Sequence, residues 1–166
     1  MKGQIWSIDF IMSMIVFFLA IALILFAWDY AIVQNESQVS FHGAESLALS
    51  VSDALVRTGG IPEGWDSSSV QVIGLASDEN IMDPGKVDEF LDVDYNTSKR
   101  LLGIGRYEYY FEVMYANNSV LQDPPGRNLT KGLYPANATV VVPVERYVLY
   151  NTTISKLEFI LWERKL

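Results

Sequence analysis

One stretch near the N-terminus has apolar residues on every side of a helix. The nineteen residues from Phe10 to Trp28 include no charged residue, no proline and no glycine. At a rise of about 1.5 Å per residue they span about 28 Å, close to the ~30 Å hydrocarbon core of a bilayer. The core helix of a soluble protein is rarely apolar on all faces over such a length. The pattern therefore predicts a transmembrane helix.

The residues around this run predict its orientation in a membrane. Lys2 precedes it, whereas Asp29 follows it and no further lysine or arginine occurs before Arg57. Because positively charged flanks stay on the cytoplasmic side, we expect the N-terminus in the cytoplasm and the rest of the chain outside. A cleaved secretory signal is the alternative, although its apolar region is usually only ~7–15 residues long.

A helical pattern continues beyond the apolar run. No proline interrupts it before Gly59, and small or apolar residues recur every three or four positions, as on one face of a helix. This stripe consists of Phe41, Ala44, Ala48, Val51 and Leu55. Arg57 suits a last helical turn, and Gly59 and Gly60 are a stop signal. We therefore expect one long helix in residues 1–57, followed by a β-rich globular domain in residues 58–166.

The pattern of residues 58–166 predicts mostly strands. Residues 107–115 alternate, and residues 139–163 form two further strand-like segments around a turn at Asn151. Two short helical segments precede these strands, and the segment 123–138 is rich in proline, glycine and asparagine, so we expect an exposed loop there. Together these elements predict an α+β fold in which a small antiparallel sheet packs on the outer half of the long helix.

Finer features of this sheet also follow from the pattern. Residues 70–76 predict one more short strand. Pro143 has no N–H group and predicts an edge or a bulge at its position. The residues expected to face the core are Tyr107, Tyr109, Phe111, Val113 and Tyr115 in one strand and Leu157, Phe159 and Leu161 in another.

Motifs for N-linked glycosylation are more frequent than chance predicts. Six of the eight asparagines begin an Asn-x-Ser/Thr sequon, whereas the serine and threonine content predicts about one. Such sequons mark surface positions of exported proteins, although a preference of asparagine and threonine for turns explains part of the clustering. We expect glycans at most of five sites, with Asn128 in its loop the most secure. These five are Asn96, Asn117, Asn128, Asn137 and Asn151. Asn35 lies only about 10 Å beyond Trp28 along the helix, so we expect it to remain unmodified.

Composition gives little support to catalysis or to cofactor binding. The chain has no cysteine and a single histidine, His42, so neither a Ser-His-Asp set nor a histidine-rich zinc site can be assembled. We therefore expect no enzymatic activity, no metal and no cofactor. The net charge of −8 and the pI of about 4.5 also disfavour nucleic acid as a partner, because phosphates bind clustered lysine and arginine.

The order of these features resembles the archaeal branch of the type IV pilin superfamily. A short basic start, "MKGQ", leads into an apolar run with an early acid, then into an amphipathic extension and a β-rich domain. By that resemblance the N-terminus is a class III signal, in which Lys2, Gly3 and Gln4 surround a cleavage site for a prepilin peptidase. Asp9 corresponds to the assembly acid, expected to pair with the N-terminal amine of a neighbouring subunit. A position at the membrane interface beside Lys2 is the alternative for Asp9.

The resemblance also implies a function. The chain is expected to be the structural subunit of an extracellular filament, stored in the cytoplasmic membrane before assembly and polymerised through its N-terminal helix. Its partners would be other copies of itself, the membrane, the prepilin peptidase and the pilus assembly machinery. The residues expected in the filament core are Phe10, Phe17, Leu19, Leu23, Leu25 and Trp28. The alternative is a membrane-anchored, single-pass surface protein or minor pilin with an extracellular binding domain.

Overall fold

The computed structural model describes the backbone of residues 3–165 and the side chains of residues 8–31 and 41–165. The expectations for the leader region and for the first sequon fall outside these described residues and stay predictions. They concern Lys2, the cleavage beside Gly3, and the side chains of Gln4 and Asn35.

The chain forms two compact units, Met1–Ser40 and Phe41–Leu166, and belongs to the α+β class. The second unit, residues 41–166, is called the head below. It contains the C-terminal part of helix α1 and, within the described residues, two short helices and a curled, mixed sheet of six strands. The elements in chain order are α1 (Gly3–Arg57), β1 (Ala76–Asp78), β2 (Ile81–Met82), α2 (Pro84–Asp92), α3 (Tyr95–Leu101), β3 (Glu108–Tyr115), β4 (Thr130–Gly132), β5 (Ala138–Tyr150) and β6 (Thr153–Arg164).

The C-terminal part of α1 supplies one side of the core of the head. The buried residues of its apolar stripe, which confirm the sequence pattern, are Ala44, Ala48, Val51 and Leu55. Phe41 is exposed instead, because it lies at the very start of the head, ahead of the buried part of the stripe. The helix ends at Arg57, as predicted. In its last turns the carbonyl of Leu55 accepts a hydrogen bond from the N–H group of Leu75, a residue further along the chain, at 2.9 Å.

Both short helices begin with an aspartate cap. The carboxylate of Asp83 accepts from the N–H group of Gly85 at 2.8 Å, and Pro84 is the first residue of α2. Asp94 caps α3 by accepting from the N–H group of Thr97 at 3.0 Å. Such caps stabilise a helix by about 0.5–2 kcal/mol, which explains why these two predicted helices start where they do.

The sheet has the strand order β1-β2-β5-β6-β3-β4 and is mixed. Its centre is the predicted β5–β6 hairpin, in which Tyr150 lies opposite Thr153 beside the turn. β2 pairs in parallel with the end of β5, at Leu149 and Tyr150, so the expectation of an antiparallel sheet is wrong at this pair. The reason is that β2 reaches β5 from the end of α1, where the N–H group of Asn80 donates to the carbonyl of Val56, and not through a hairpin turn.

Most of β5 has no strand on its other side within the described residues. β2 pairs only with the last two residues of β5, so the stretch from Ala138 to Val148 is an open edge. Pro143 lies in the middle of this stretch, where a residue without an N–H group is tolerated. This position confirms the prediction that Pro143 marks an edge.

Two segments differ from the sequence-based expectation. Residues 70–75 form a single bridge, between Val72 and Ile61, instead of a strand, because they pair with the loop that follows α1, and only Ala76 belongs to a strand, β1. The segment 123–138 is only partly an exposed loop, since it contains β4 and the fully buried Leu129. The N–H group and the carbonyl of Leu129 both bond to neighbouring segments, which draws this part of the chain into the head.

The inner face of the sheet carries the core. The buried inner residues are Tyr107, Tyr109, Phe111 and Val113 along and just before β3, and Leu157, Phe159 and Leu161 on β6. Tyr115, expected in the same row, is exposed because β3 ends there and an exposed turn follows. Phe111 packs edge-on against Phe90 of α2, with 5.1 Å between ring centroids. The predicted alternation is therefore confirmed except at the last residue.

One corner of the outer face of the sheet is covered by the chain between β4 and β5. Trp162 lies on this face and is nearly fully buried, and its indole N–H donates to the carbonyl of Leu133 at 2.8 Å. Tyr134 packs edge-on against Tyr110, with 5.2 Å between ring centroids. The segment thus forms a strap that closes a second, smaller apolar cluster outside the main core.

The packing of Phe111 predicts a large loss of stability on truncation. Phe111→Ala should lower the free energy of unfolding of the head by about 3–5 kcal/mol, because it leaves a cavity between α2 and the sheet. Tyr147→Ala, on the same sheet but at a side chain that is 72% exposed, should change it by less than about 0.5 kcal/mol. Urea unfolding of the detergent-solubilised chain, followed by tryptophan fluorescence, measures both. Equal midpoints would contradict the core position of Phe111.

Candidate functional site

The first unit carries an exposed apolar helix. Residues Ile8–Ala31 are 24 successive helical residues, and none of them is buried. By length and composition this segment is able to cross a membrane, although a signal sequence near an N-terminus meets the same criteria. The structure therefore supports an anchor-type or signal-type segment in the first unit.

The residues expected in a filament core all lie on this exposed surface. Their exposed fractions are 60–69%: Phe10, Phe17, Leu19, Leu23, Leu25 and Trp28. Successive helical residues are turned by about 100°, so Phe17 and Leu19 lie on nearly opposite sides of α1. The apolar surface surrounds the helix, and a single neighbouring helix could cover only part of it.

Asp9 lies at the N-terminal margin of the same segment. Its side chain is exposed between Ile8 and Phe10, and Asp29 is the only other charged residue within Ile8–Ala31. A carboxylate at this margin stays hydrated if it lies at a membrane surface, but among apolar helices it needs a partner or a proton. Burial of the beginning of the segment would therefore desolvate this one acid.

The described part of the head shows no cluster of metal-binding side chains and one open depression of note. The residues that the structure describes include no group of three or more histidine, cysteine, aspartate or glutamate side chains able to hold a metal. An open depression of about 490 Å³ is lined in part by Glu63, Trp65, Lys86 and Glu89. Glu89 already accepts from the N–H group of Ser67 at 2.7 Å, and therefore holds a loop in place. We therefore interpret the depression as an open hollow of the surface and not as a binding site.

A buried hydroxyl network joins α3 to β3. The hydroxyls of Ser98 and Tyr109 lie 2.6 Å apart, and the Ser98 hydroxyl also donates to the carbonyl of Tyr95 at 2.8 Å. The hydroxyl of Tyr95 donates to Glu108 at 2.6 Å. Burial raises the pKa of both tyrosines, so they remain protonated donors. The sequence alone did not reveal this network, because it depends on which side of α3 meets the strand.

The five sequon asparagines of the head are all exposed. They are Asn96, Asn117, Asn128, Asn137 and Asn151. Asn137 and Asn151 have φ angles of 58° and 45°, in the left-handed region that asparagine tolerates better than most residues. The backbone conformation of these two turns therefore favours asparagine at both positions, independently of any glycan.

Three glutamates form a row across the outer face of the sheet. Glu158 on β6 lies directly opposite Glu112 on β3 and Glu145 on β5. Like charges in directly opposed positions destabilise a sheet, and Lys156 compensates in part through its ion pair with Glu145 at 2.9 Å. Burial and the charge of Glu158 raise the pKa of Glu112. The row depends on the register of three strands, which the sequence pattern did not fix.

Comparison with known proteins does not assign the chain to a family. No family model matches the sequence, and no curated protein and no solved structure matches it either. The features of this chain that bear on function are the exposed apolar helix, the position of Asp9 and the surface of the head.

The glutamate row predicts that ionised Glu112 destabilises the head and that acidification relieves this effect. The pKa of Glu112 is raised above 4.5 in the folded head, so its ionisation opposes folding. The loss of stability caused by ionised Glu112 is absent at pH values below the pKa of the unfolded state, and it is complete at pH values above the raised pKa of the folded state. Glu112→Gln should therefore raise the midpoint of thermal unfolding at about pH 7 and leave it nearly unchanged at about pH 4. Circular dichroism melts at the two pH values measure the difference.

Glu108→Gln is the matched control on the same strand. Burial favours the neutral form of Glu108, but hydrogen bonds from Tyr95 and Lys99 outweigh it and lower the pKa. The ionised form thus contributes stability above the unfolded-state pKa, and this contribution is lost as the pH falls through the lowered pKa. Glu108→Gln should lower the midpoint at about pH 7. Shifts of the same sign in the two variants would contradict repulsion at Glu112.

Proposed function

We propose that this chain is a structural subunit of an extracellular, type IV pilus-like filament that polymerises through its N-terminal helix. The segment Ile8–Ala31 is held in the cytoplasmic membrane before assembly, with the N-terminus inside, and lies in the filament core afterwards. The head forms the outer surface of the filament. The subunit needs no cofactor and catalyses no reaction in this role.

The exposed apolar surface of Ile8–Ala31 is the observation that carries the proposal. Burying one large apolar side chain such as Phe17 is favourable by about 1.5–3 kcal/mol relative to water, and the segment exposes many of them around its whole circumference. Lipid covers such a helix completely. A bundle of several identical helices covers it as well, because each copy is surrounded by others. The two environments correspond to the stored and the assembled subunit.

Asp9 supports assembly in a defined register. Its carboxylate remains hydrated near the membrane surface but requires compensation once apolar helices surround it. The resemblance to pilins supplies a partner, the N-terminal amine of a neighbouring copy after removal of a leader around Lys2, Gly3 and Gln4. A single polar contact within an apolar bundle fixes register in coiled coils, and we assign the same task to Asp9.

The surface of the head supports an extracellular position. Its five sequon asparagines are exposed, and the chain as a whole carries a net charge of −8. A strongly charged exterior keeps closely spaced copies soluble through mutual repulsion. Exposure of the acceptor asparagines is what glycosylation of an exported head requires.

A membrane-anchored, single-pass surface protein or minor pilin is the second candidate. The 24 residues of Ile8–Ala31 match one bilayer crossing, which is the observation in its favour. Shearing of cells, electron microscopy of the released material and peptide mapping decide between the two. The chain as the main component of sheared filaments supports the filament subunit. Its recovery from membranes alone contradicts that proposal and favours the anchored protein.

Phe17→Asp should abolish filaments. Phe17 lies near the middle of Ile8–Ala31, so each copy in a filament would bury an unpaired carboxylate. In the membrane the same change costs about 2.5–3.5 kcal/mol, which the remaining apolar residues offset, so insertion should continue. Phe17→Leu is the control and should assemble normally. Electron microscopy and membrane fractionation give the two readouts, and normal filaments from Phe17→Asp would exclude this segment as the core.

Asp9→Ala should reduce filament yield without impairing membrane insertion. Loss of the charge favours insertion, whereas it removes the proposed partner of the neighbouring amine. Asp9→Glu keeps a carboxylate and should retain more assembly than Asp9→Ala. The amount of sheared filament per cell, compared with the amount of chain in membranes, measures the effect. Assembly of Asp9→Ala at the parental rate would contradict the pairing with the amine and would support the alternative that Asp9 only lies at the membrane interface.

A further inference from the structure

The fold places the five head sequons in two kinds of environment. Two of them lie in exposed turns, whereas three are held by regular or bonded structure. We propose that the folded head presents Asn117 and Asn151 as acceptors for N-linked glycans and withholds Asn96, Asn128 and Asn137. This inference rests on the export of the head under the proposed function, and it differs from the sequence-based expectation, which favoured Asn128.

The chemistry of the transfer explains why the local structure decides. A membrane transferase uses an oligosaccharide carried on a lipid phosphate, and it recognises the asparagine together with the hydroxyl two residues later. The amide nitrogen bonds to the anomeric carbon of the sugar, and the bond from that carbon to the phosphate oxygen breaks. The lipid phosphate leaves with the electron pair, and the amide nitrogen releases one proton. A tripeptide that the fold holds in place cannot enter such an enzyme.

The sequon at Asn151 is open along its whole length. It forms the turn of the β5–β6 hairpin, and residues 151–154 are all exposed. The hydroxyl required by the enzyme belongs to Thr153, the exposed first residue of β6. Both recognition groups are therefore accessible without unfolding of the head.

The sequon at Asn117 is open in a similar way. Residues 116–119 form an exposed turn after β3. Within it the side-chain oxygen of Asn117 accepts from the hydroxyl of Ser119 at 2.6 Å, which leaves the amide nitrogen, the reacting atom, out of this bond.

The sequon at Asn137 is held although its surface is exposed. The carbonyl of Asn137 accepts from the N–H group of Lys165 at 2.9 Å. Thr139 lies in β5, and its hydroxyl, the group required by the enzyme, donates to the carbonyl of Glu163 at 3.3 Å. Access to this tripeptide would require the first residues of β5 to leave the sheet.

The sequon at Asn96 is closed at its hydroxyl. Asn96 itself is exposed on α3, but Ser98 is fully buried. The hydroxyl of Ser98 lies 2.6 Å from that of Tyr109 and donates to the carbonyl of Tyr95 at 2.8 Å. Access to it would require α3 to unwind and to leave the sheet. Asn96 can therefore be modified only before the head folds.

The sequon at Asn128 is closed along its backbone. Its central residue, Leu129, is fully buried. The N–H group of Leu129 donates to Leu121 at 2.9 Å, and its carbonyl accepts from Val113 at 3.0 Å, so the chain is held from both sides. Thr130, which carries the hydroxyl, is half-buried in β4. Exposure of the Asn128 side chain alone does not make this sequon available.

Glycopeptide mass spectrometry of native material tests the assignment. The chain is isolated from its source cells, as sheared filaments or from membranes, and the occupancy of each sequon is measured. We expect glycans on Asn117 and Asn151 and unmodified asparagines at Asn96, Asn128 and Asn137. A glycan on Asn96, Asn128 or Asn137 would overturn the inference, and so would a bare asparagine at either of the two open sites.

Two threonine-to-valine variants provide a matched comparison. Thr153→Val and Thr130→Val each remove the hydroxyl of one sequon and keep a β-branched residue in a strand. Thr153→Val should lower the intact mass of the chain by one glycan, beyond the mass of the substitution. Thr130→Val should not change the glycan mass. Loss of a glycan from Thr130→Val, or retention of all glycans in Thr153→Val, would contradict the proposal.

The outcome for the sugars is separable from the outcome for the filament. Filaments are detected by electron microscopy, whatever the state of the asparagines. Filaments with bare open sites would refute this inference and leave the proposed function standing. Glycosylated open sites on a chain that never enters filaments would support this inference and contradict the filament.

Discussion

In the segment Ile8–Ala31, apolar side chains project from all sides of α1, and none of these residues is buried by the chain itself. Water is therefore excluded as a lasting environment, and the choice is between lipid and other apolar helices. Both are non-polar, so the hydrophobic effect that drives the segment out of water favours neither strongly over the other. Under the proposed function, polar contacts, above all that of Asp9, and contacts between heads would decide when a subunit leaves the membrane.

In the head, the C-terminal part of α1 packs into a protein core. There its small residues Ala44 and Ala48 are buried in the core, and Asp53 pairs with Arg146 of β5 at 2.9 Å. The sheet has no other helix of comparable length within the described residues, so the C-terminal part of α1 is an integral piece of the head. A head cut off at Arg57 would expose the face of the sheet that this part of α1 covers.

The features that the sequence predicted are those set by local pattern. The apolar segment follows from composition, the end of α1 from Arg57 and the glycines Gly59 and Gly60, and the β5–β6 hairpin from alternation around Asn151. The features it missed require contacts between distant segments. The parallel pairing of β2, the burial of Leu129 and the strap over Trp162 all depend on tertiary packing, which no local periodicity encodes. The filament, its processing and its glycans stay proposals.

The open edge of β5 acquires a meaning when many copies stand side by side. An exposed strand edge is a template on which another strand can add, and crowding in a polymer would multiply such encounters. Pro143, in the middle of the edge, cannot donate a hydrogen bond to an incoming strand, and Glu145 adds a charge close to it. The missing N–H group and the charge both make the addition of another strand to this edge unfavourable. Edge-to-edge growth of the sheet is therefore disfavoured, and in the proposed filament the apolar helix would be left as the route by which copies associate.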